Sequence, residues 1–139
     1  MKGHNSVLGG GGLHHLAIRA ADFDAAVKFY TRALGFKEKI RWGEGNQRAI
    51  MLDIGDGNSL EIFAGGSPGP KPEGAILHFA LRTADCDAAL SRAVAAGAVT
   101  TLEPREVSLP TQPHPTAVRI AFCRAPDGEI IEFLQEELK

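Results

Sequence analysis

Cysteine is scarce in this chain. Two thiols, Cys86 and Cys123, in 139 residues cannot make a disulfide framework, so stability must come from a packed core. Basic runs are missing as well. The 15 Lys and Arg are outnumbered by 17 Asp and Glu, for a net charge of −2, and none of them cluster. That excludes a nucleic-acid or anionic-membrane surface as the main business of the molecule. No apolar stretch approaches the roughly 18 residues that a membrane-spanning helix needs. The first twelve residues, MKGHNSVLGGGG, lack the apolar centre of a signal peptide and read as a flexible leader. With two cysteines and no export signal, the reading is a cytoplasmic protein. What remains is ordinary for one globular domain: 44% apolar and 23% charged residues. Glycine, at 16, is in excess, and much of the excess sits in residues 9–12 and 65–74.

The informative feature is an internal repeat. Residues 15–26 read HLAIRAADFDAA and residues 78–89 read HFALRTADCDAA, identical at eight of twelve positions. Further on, DGNSLE at 56–61 and DGEIIE at 127–132 both fit D-G-x-x-x-E. Two matched segments in the same order define two units, each opening on a histidine strand and closing on a glutamate strand. Leu13 to Arg19 and Ile76 to Arg82 alternate as strands do. Asp22 and Asp85 then stand as N-caps. Phe23, Ala26, Val27, Tyr30 and Leu34 in one unit, and Cys86, Ala89, Leu90 and Ala93 in the other, are spaced as apolar helix faces. Gly35 and Gly97 lie where those helices should stop. Three strands follow in each unit, over 36–43, 47–54 and 58–64, and over 98–108, 116–124 and 129–134. The predicted organisation is therefore α+β: a leader (1–12), a βαβββ module (13–64), a Gly/Pro linker (65–75) and a second βαβββ module (76–139).

Strand parity places the polar residues. His15, Ala17 and Arg19 share one face of the first strand, with His14, Leu16 and Ile18 on the other. His78, Ala80 and Arg82 repeat this, and Glu61 and Glu132 oppose the apolar residues of the closing strands. Since the apolar faces must meet the helices, His15, Glu61, His78 and Glu132 are predicted to share the face away from them. Singly, each would be an ordinary polar residue on an exposed sheet. Four at symmetric positions point to one divalent metal ion, with Zn, Ni or Co suiting imidazole and Mn or Fe also compatible. Four ligands without a thiolate leave a coordination position for water or substrate. If Val118, Ile120 and Phe122 face the helices, Arg119 joins Arg19 and Arg82 on the open face, three cations that suit an anionic substrate. The loop LPTQPHPT (109–116) reads either as a lid carrying His114 to the substrate or as a surface connection.

The segments HHLAI (14–18), FYTRALGF (29–36), SLEIF (59–63), LHFAL (77–81) and APDGEIIEFL (125–134) resemble the vicinal oxygen chelate superfamily, the glyoxalase/bleomycin-resistance/dioxygenase group. The resemblance spans nearly everything from residue 13 on. It implies two βαβββ modules whose sheets curl into an open cup with the helices outside, and it implies His15, Glu61, His78 and Glu132 as metal ligands. The complete two-His, two-Glu set is similar to glyoxalase I, a lactoylglutathione lyase. The implied activity is proton transfer next to a carbonyl through an enediolate stabilised by the metal, with Glu132 as base and Glu61 as its symmetric partner. Arg19 has the spacing of an arginine that contacts a glutathione carboxylate in such enzymes. Where they carry an asparagine four residues after the first glutamate, this chain has Gly65. Two further readings follow from the same resemblance: an Fe(II) extradiol-type dioxygenase using His15, His78 and Glu132, and a non-enzymatic drug-binding cup. Members are usually homodimers, so the four ligands belong either to one chain or to two chains that exchange modules.

Overall fold

A computed structural model of the chain describes residues 5–7, 9, 13–69, 71, 74 and 76–138. The leader expected over residues 1–12 lies largely outside the described residues, as does part of the linker. The first module runs β1 (His15–Arg19), α1 (Phe23–Lys28), a π-helical turn (Phe29–Ala33), β2 (Lys37–Trp42), a 3-10 turn (Gly45–Gln47), β3 (Ala49–Asp53) and β4 (Ser59–Phe63). The second runs β5 (Phe79–Arg82), α2 (Cys86–Ala95), β6 (Val99–Leu109), β7 (Thr116–Arg124) and β8 (Ile130–Gln135). Strand order is β1-β4-β3-β2 in one sheet and β5-β8-β7-β6 in the other. The first strand of each module lies parallel to the last, as a crossover through a helix requires, and the other pairings are antiparallel.

Local chemistry accounts for the helices. The Asp22 carboxylate accepts the Ala25 N–H and the Asp85 carboxylate accepts the Ala88 N–H, both at 3.0 Å, so each helix opens on a satisfied cap. Gly35 (φ +75°) and Gly97 (φ +106°) hold left-handed conformations after the helices, where a side chain would be strained. The first helix departs from a plain α-helix: after Lys28 it widens into a π-helical turn, carrying the buried Phe29 and Tyr30.

The helix-facing sides of the sheets build the core. Ile50, Leu52, Leu60 and Ile62 meet Phe23, Ala26, Phe29 and Tyr30, while Ala121, Ile131 and Phe133 meet Cys86, Ala89, Leu90 and Ala93. These form one cluster across both modules, with α2 touching the π-helical turn. Within one chain the modules thus meet through their helical sides. The eight strands are not joined into one sheet: among the described strands, β1 and β5 each have a single neighbour. No described helix is long and apolar enough to cross a membrane.

Candidate metal centre

The parallel pairing of β1 with β4 sets Ala17 beside Glu61, and that of β5 with β8 sets Ala80 beside Glu132. His15 stands two residues before Ala17 on the same face of β1, and His78 stands just ahead of β5, two residues before Ala80; each leans toward its glutamate. His15 Nε2 lies 3.8 Å from Glu61 Oε1, and His78 Nε2 lies 3.0 Å from Glu132 Oε2. A small alanine beside each carboxylate leaves that approach open. Glu61, only 8% exposed, is a buried acid whose partner is that imidazole. Both pairs lie on the face away from the helices, as strand parity predicts.

The donor chemistry fits a divalent ion in halves. Ligands about 2.1 Å from a metal, at ordinary angles, stand about 3.0–3.4 Å apart. The second pair has that spacing and the first needs a small side-chain rotation. The chain does not bring the halves together: among the described residues, no three His, Cys, Asp or Glu side chains gather closely enough to hold a metal. Each module carries one His–Glu pair, and the pairs stay apart because the modules pack through their helices. A cavity of about 580 Å³ between the modules is lined by Leu16, Leu34, Phe79, Leu81 and Arg92 and by neither pair.

The remaining candidates divide. Arg19 is on the open face, its Nη1 donating to the Ala64 carbonyl at 2.9 Å and its guanidinium 5.3 Å from the centre of the Phe63 ring. Arg82 shares the face of Ala80 and Glu132 and pairs with Glu136 at 3.0 Å. Arg119 does not face the open side. Its register places it with Ala121 and Cys123, both fully buried against the helix, and Asp87 of α2 holds it at 2.6 Å. Val118, Ile120 and Phe122 therefore point away from the helices. His114 sits exposed in the connection between β6 and β7, with no side-chain partner among the described residues. There Thr111 Oγ1 bonds the His114 carbonyl at 2.8 Å and Thr116 Oγ1 at 2.6 Å, the arrangement of a surface connection.

Three residues near the pairs were not candidates from the sequence. Phe122 stands opposite Glu132 and meets the His78 ring edge-on at 5.2 Å. Trp42 meets Phe63 edge-on at 6.4 Å on the open face of the first module. His14 precedes β1 rather than continuing it, so its ring escapes strand alternation; its Nδ1 lies 2.9 Å from His15 Nδ1. That contact leaves Nε2 of His15 turned to Glu61. The signal for Phe122 was the parity of β7, which the apolar character of both its faces obscured.

Two βαβββ modules, each with a four-stranded sheet and a helix packed on it, define a class of fold, and comparison agrees on that fold. The model of the Glyoxalase/Bleomycin resistance protein/Dioxygenase superfamily matches residues 12–133, and the chain belongs to that family. It is 30% identical over 133 residues to the uncharacterized protein YwbC of Bacillus subtilis, covering 88% of this chain and 96% of that protein. Among solved structures it is similar to the trypanothione-dependent glyoxalase I of Leishmania major, with a TM-score of 0.67 at 25% identity, covering 91% of this chain and 87% of that one. It also resembles a glyoxalase/bleomycin-resistance/dioxygenase domain from Frankia sp. EAN1pec, with a TM-score of 0.71 at 21% identity over 91% of this chain and 93% of that one.

Proposed function

We propose that the protein is a metal-dependent lyase or isomerase of the glyoxalase I type, acting on a small anionic substrate as a homodimer. In that dimer the first module of one chain faces the second module of the other. The observation that carries this is the presence of two His–Glu pairs at symmetric places, each only half of a coordination shell. The outer edges of β1 and β5, which have no strand beside them among the described residues, offer backbone groups along which a second copy can align.

A divalent ion held by His15 and Glu61 of one chain and by His78 and Glu132 of the other would supply Lewis-acid stabilisation of negative charge on a substrate carbonyl oxygen. The protein supplies the rest. Glu132 accepts the proton from the carbon beside the carbonyl and returns it to the neighbouring carbon. It is the more exposed of the two glutamates and so the freer to swing, while Glu61 stays packed. Ala17 and Ala80 leave space beside the carboxylates, and Arg19 and Arg82 hold the anionic end of the substrate at the strand ends.

Metal analysis tests this. Purified protein should carry about one divalent ion per chain, and H15A/H78A should carry none. E132Q should retain some ion and lose hemithioacetal isomerisation. Turnover in metal-loaded E132Q would refute the base assignment, and failure to take up any ion on reconstitution would refute the function.

A further inference from the structure

The register of the first sheet sets its open face in cross-strand rows. One row runs Ala17, Glu61, Met51, Ile40, and the next runs Arg19, Phe63, Ala49, Trp42. The second row lies two residues along the strands, about 7 Å from the carboxylate row. Ala49 has no side chain beyond its Cβ, so Trp42 reaches across it to Phe63 and the rings meet at 83°. From the other side the Arg19 guanidinium lies 5.3 Å from the same ring centre. One N–H of that group is used on Ala64, and its others have no partner among the described residues. Trp42 keeps 43% of its surface exposed. The result is a ledge: a cation, a phenyl face and an indole, in that order.

The second module does not repeat it. Its corresponding row is Arg82, Leu134, Ile120, Arg105, which has no aromatic side chain, and its first arginine is paired with Glu136. The duplicated fold therefore carries one aromatic ledge per chain, and symmetry of the metal ligands does not explain it.

We propose that this ledge is a recognition site for an aromatic carboxylate, with the flat ring against Trp42 and Phe63 and the carboxylate on Arg19. The inference rests on the reading of the open face as a substrate site and names the class of substrate that site takes. Every part of the ledge has a use in such a ligand. Aromatic faces favour a planar ring over a puckered one, and a guanidinium braced on a carbonyl and a ring presents its remaining donors at little entropic cost. A flexible peptide-like anion would use Arg19 but not the indole.

Trp42 is the single tryptophan of the chain, so its fluorescence reports on the ledge directly. The test is titration of the metal-loaded protein with 3,5-dinitrobenzoate, with metal content measured on the same samples. Saturable quenching is expected, weakened at least tenfold in R19Q and unchanged in R41Q, whose arginine lies on the opposite face of β2. Cyclohexanecarboxylate should compete at least tenfold more weakly than benzoate. By calorimetry, W42L should lose binding of benzoate. Linear, non-saturating quenching, equal binding by R19Q, or equal competition by the saturated ring would each overturn the proposal. The ledge shares no residue with the metal ligands. Failure of the ledge with the ion retained therefore overturns the ledge and the Arg19 role but leaves the metal-dependent reaction standing, and failure to take up the ion with the ledge intact overturns the proposed function but not the ledge.

Discussion

At the scale of single residues, the polar contact between the two modules is the most consequential feature outside the site. Tyr30 is fully buried, and its hydroxyl donates to Glu129 Oε1 at 2.5 Å. Asp127 Oδ1 accepts the Ala21 N–H at 2.8 Å, and its Oδ2, buried without a hydrogen bond, lies 3.6 Å from Lys71 Nζ. Burial pushes the Glu129 carboxyl above its ordinary value; the Asp127 charge adds to this, while the Tyr30 hydroxyl and Lys71 oppose it. Burial likewise raises the Tyr30 phenol, with Glu129 reinforcing it. The sign for stability follows. Between the ordinary carboxylate pKa and the raised one, the folded chain binds more protons than the unfolded chain, so this contribution is full below the ordinary value and is lost as pH rises through the raised one. E129Q keeps an acceptor for Tyr30 and removes the titration, so its stability should fall less steeply over that window. Tyr30→Phe should cost about 1–3 kcal/mol by leaving a buried carboxyl without its donor. Urea unfolding over a pH series reads both. Identical pH slopes in E129Q and the parent would show that burial does not raise the Glu129 carboxyl in the folded interface.

At the scale of elements, alternation and capping made most of the fold legible. The parity of β1, β4 and β8, and of the residues leading into β5, placed His15, Glu61, Glu132 and His78 on the open face because each segment sets its apolar residues against the helix of its module. Parity failed where strands are irregular or apolar on both sides. A bulge between Glu38 and Ile40 shifts the phase of β2, and this hid Trp42. In β7, Val118, Ile120 and Phe122 are as apolar as the helix-facing Ala121 and Cys123, so hydrophobicity alone could not say which set faces α2. Residue size decided it: the small residues take the crowded side beneath α2, and that turns Arg119 toward Asp87. R119Q should therefore leave stability nearly unchanged, as loss of a solvent-screened ion pair does. It should leave binding of a carboxylate probe at the open face unchanged. A tenfold loss of that binding would return Arg119 to the site. The separation of the two His–Glu pairs was not legible at all, because strand parity says which face a residue takes and nothing about which module packs beside which.

At the scale of the whole molecule, that separation has a consequence that mixing can test. If each metal centre joins the first module of one chain to the second module of another, a dimer has two centres, and each chain gives one half to each. H15A damages only first-module halves and H78A only second-module halves, so either homodimer has no complete ligand set. In a mixed dimer the two lesions fall together in one centre, and the other centre draws an intact His15–Glu61 pair from the H78A chain and an intact His78–Glu132 pair from the H15A chain. Random reassociation of equal amounts makes half of the dimers mixed, so about a quarter of all centres should regain the full set. Metal uptake and turnover should rise from background to about a quarter of the parent value after co-refolding, and should not rise when the two proteins are refolded separately and then combined without exchange. If both pairs closed on one ion within a single chain, every centre in the mixture would still lack a histidine, and mixing would restore nothing. The packing of the modules through Tyr30, Glu129 and the shared apolar core favours the first outcome, because it holds the two open faces of one chain apart, and no described strand covers the outer edges of β1 and β5.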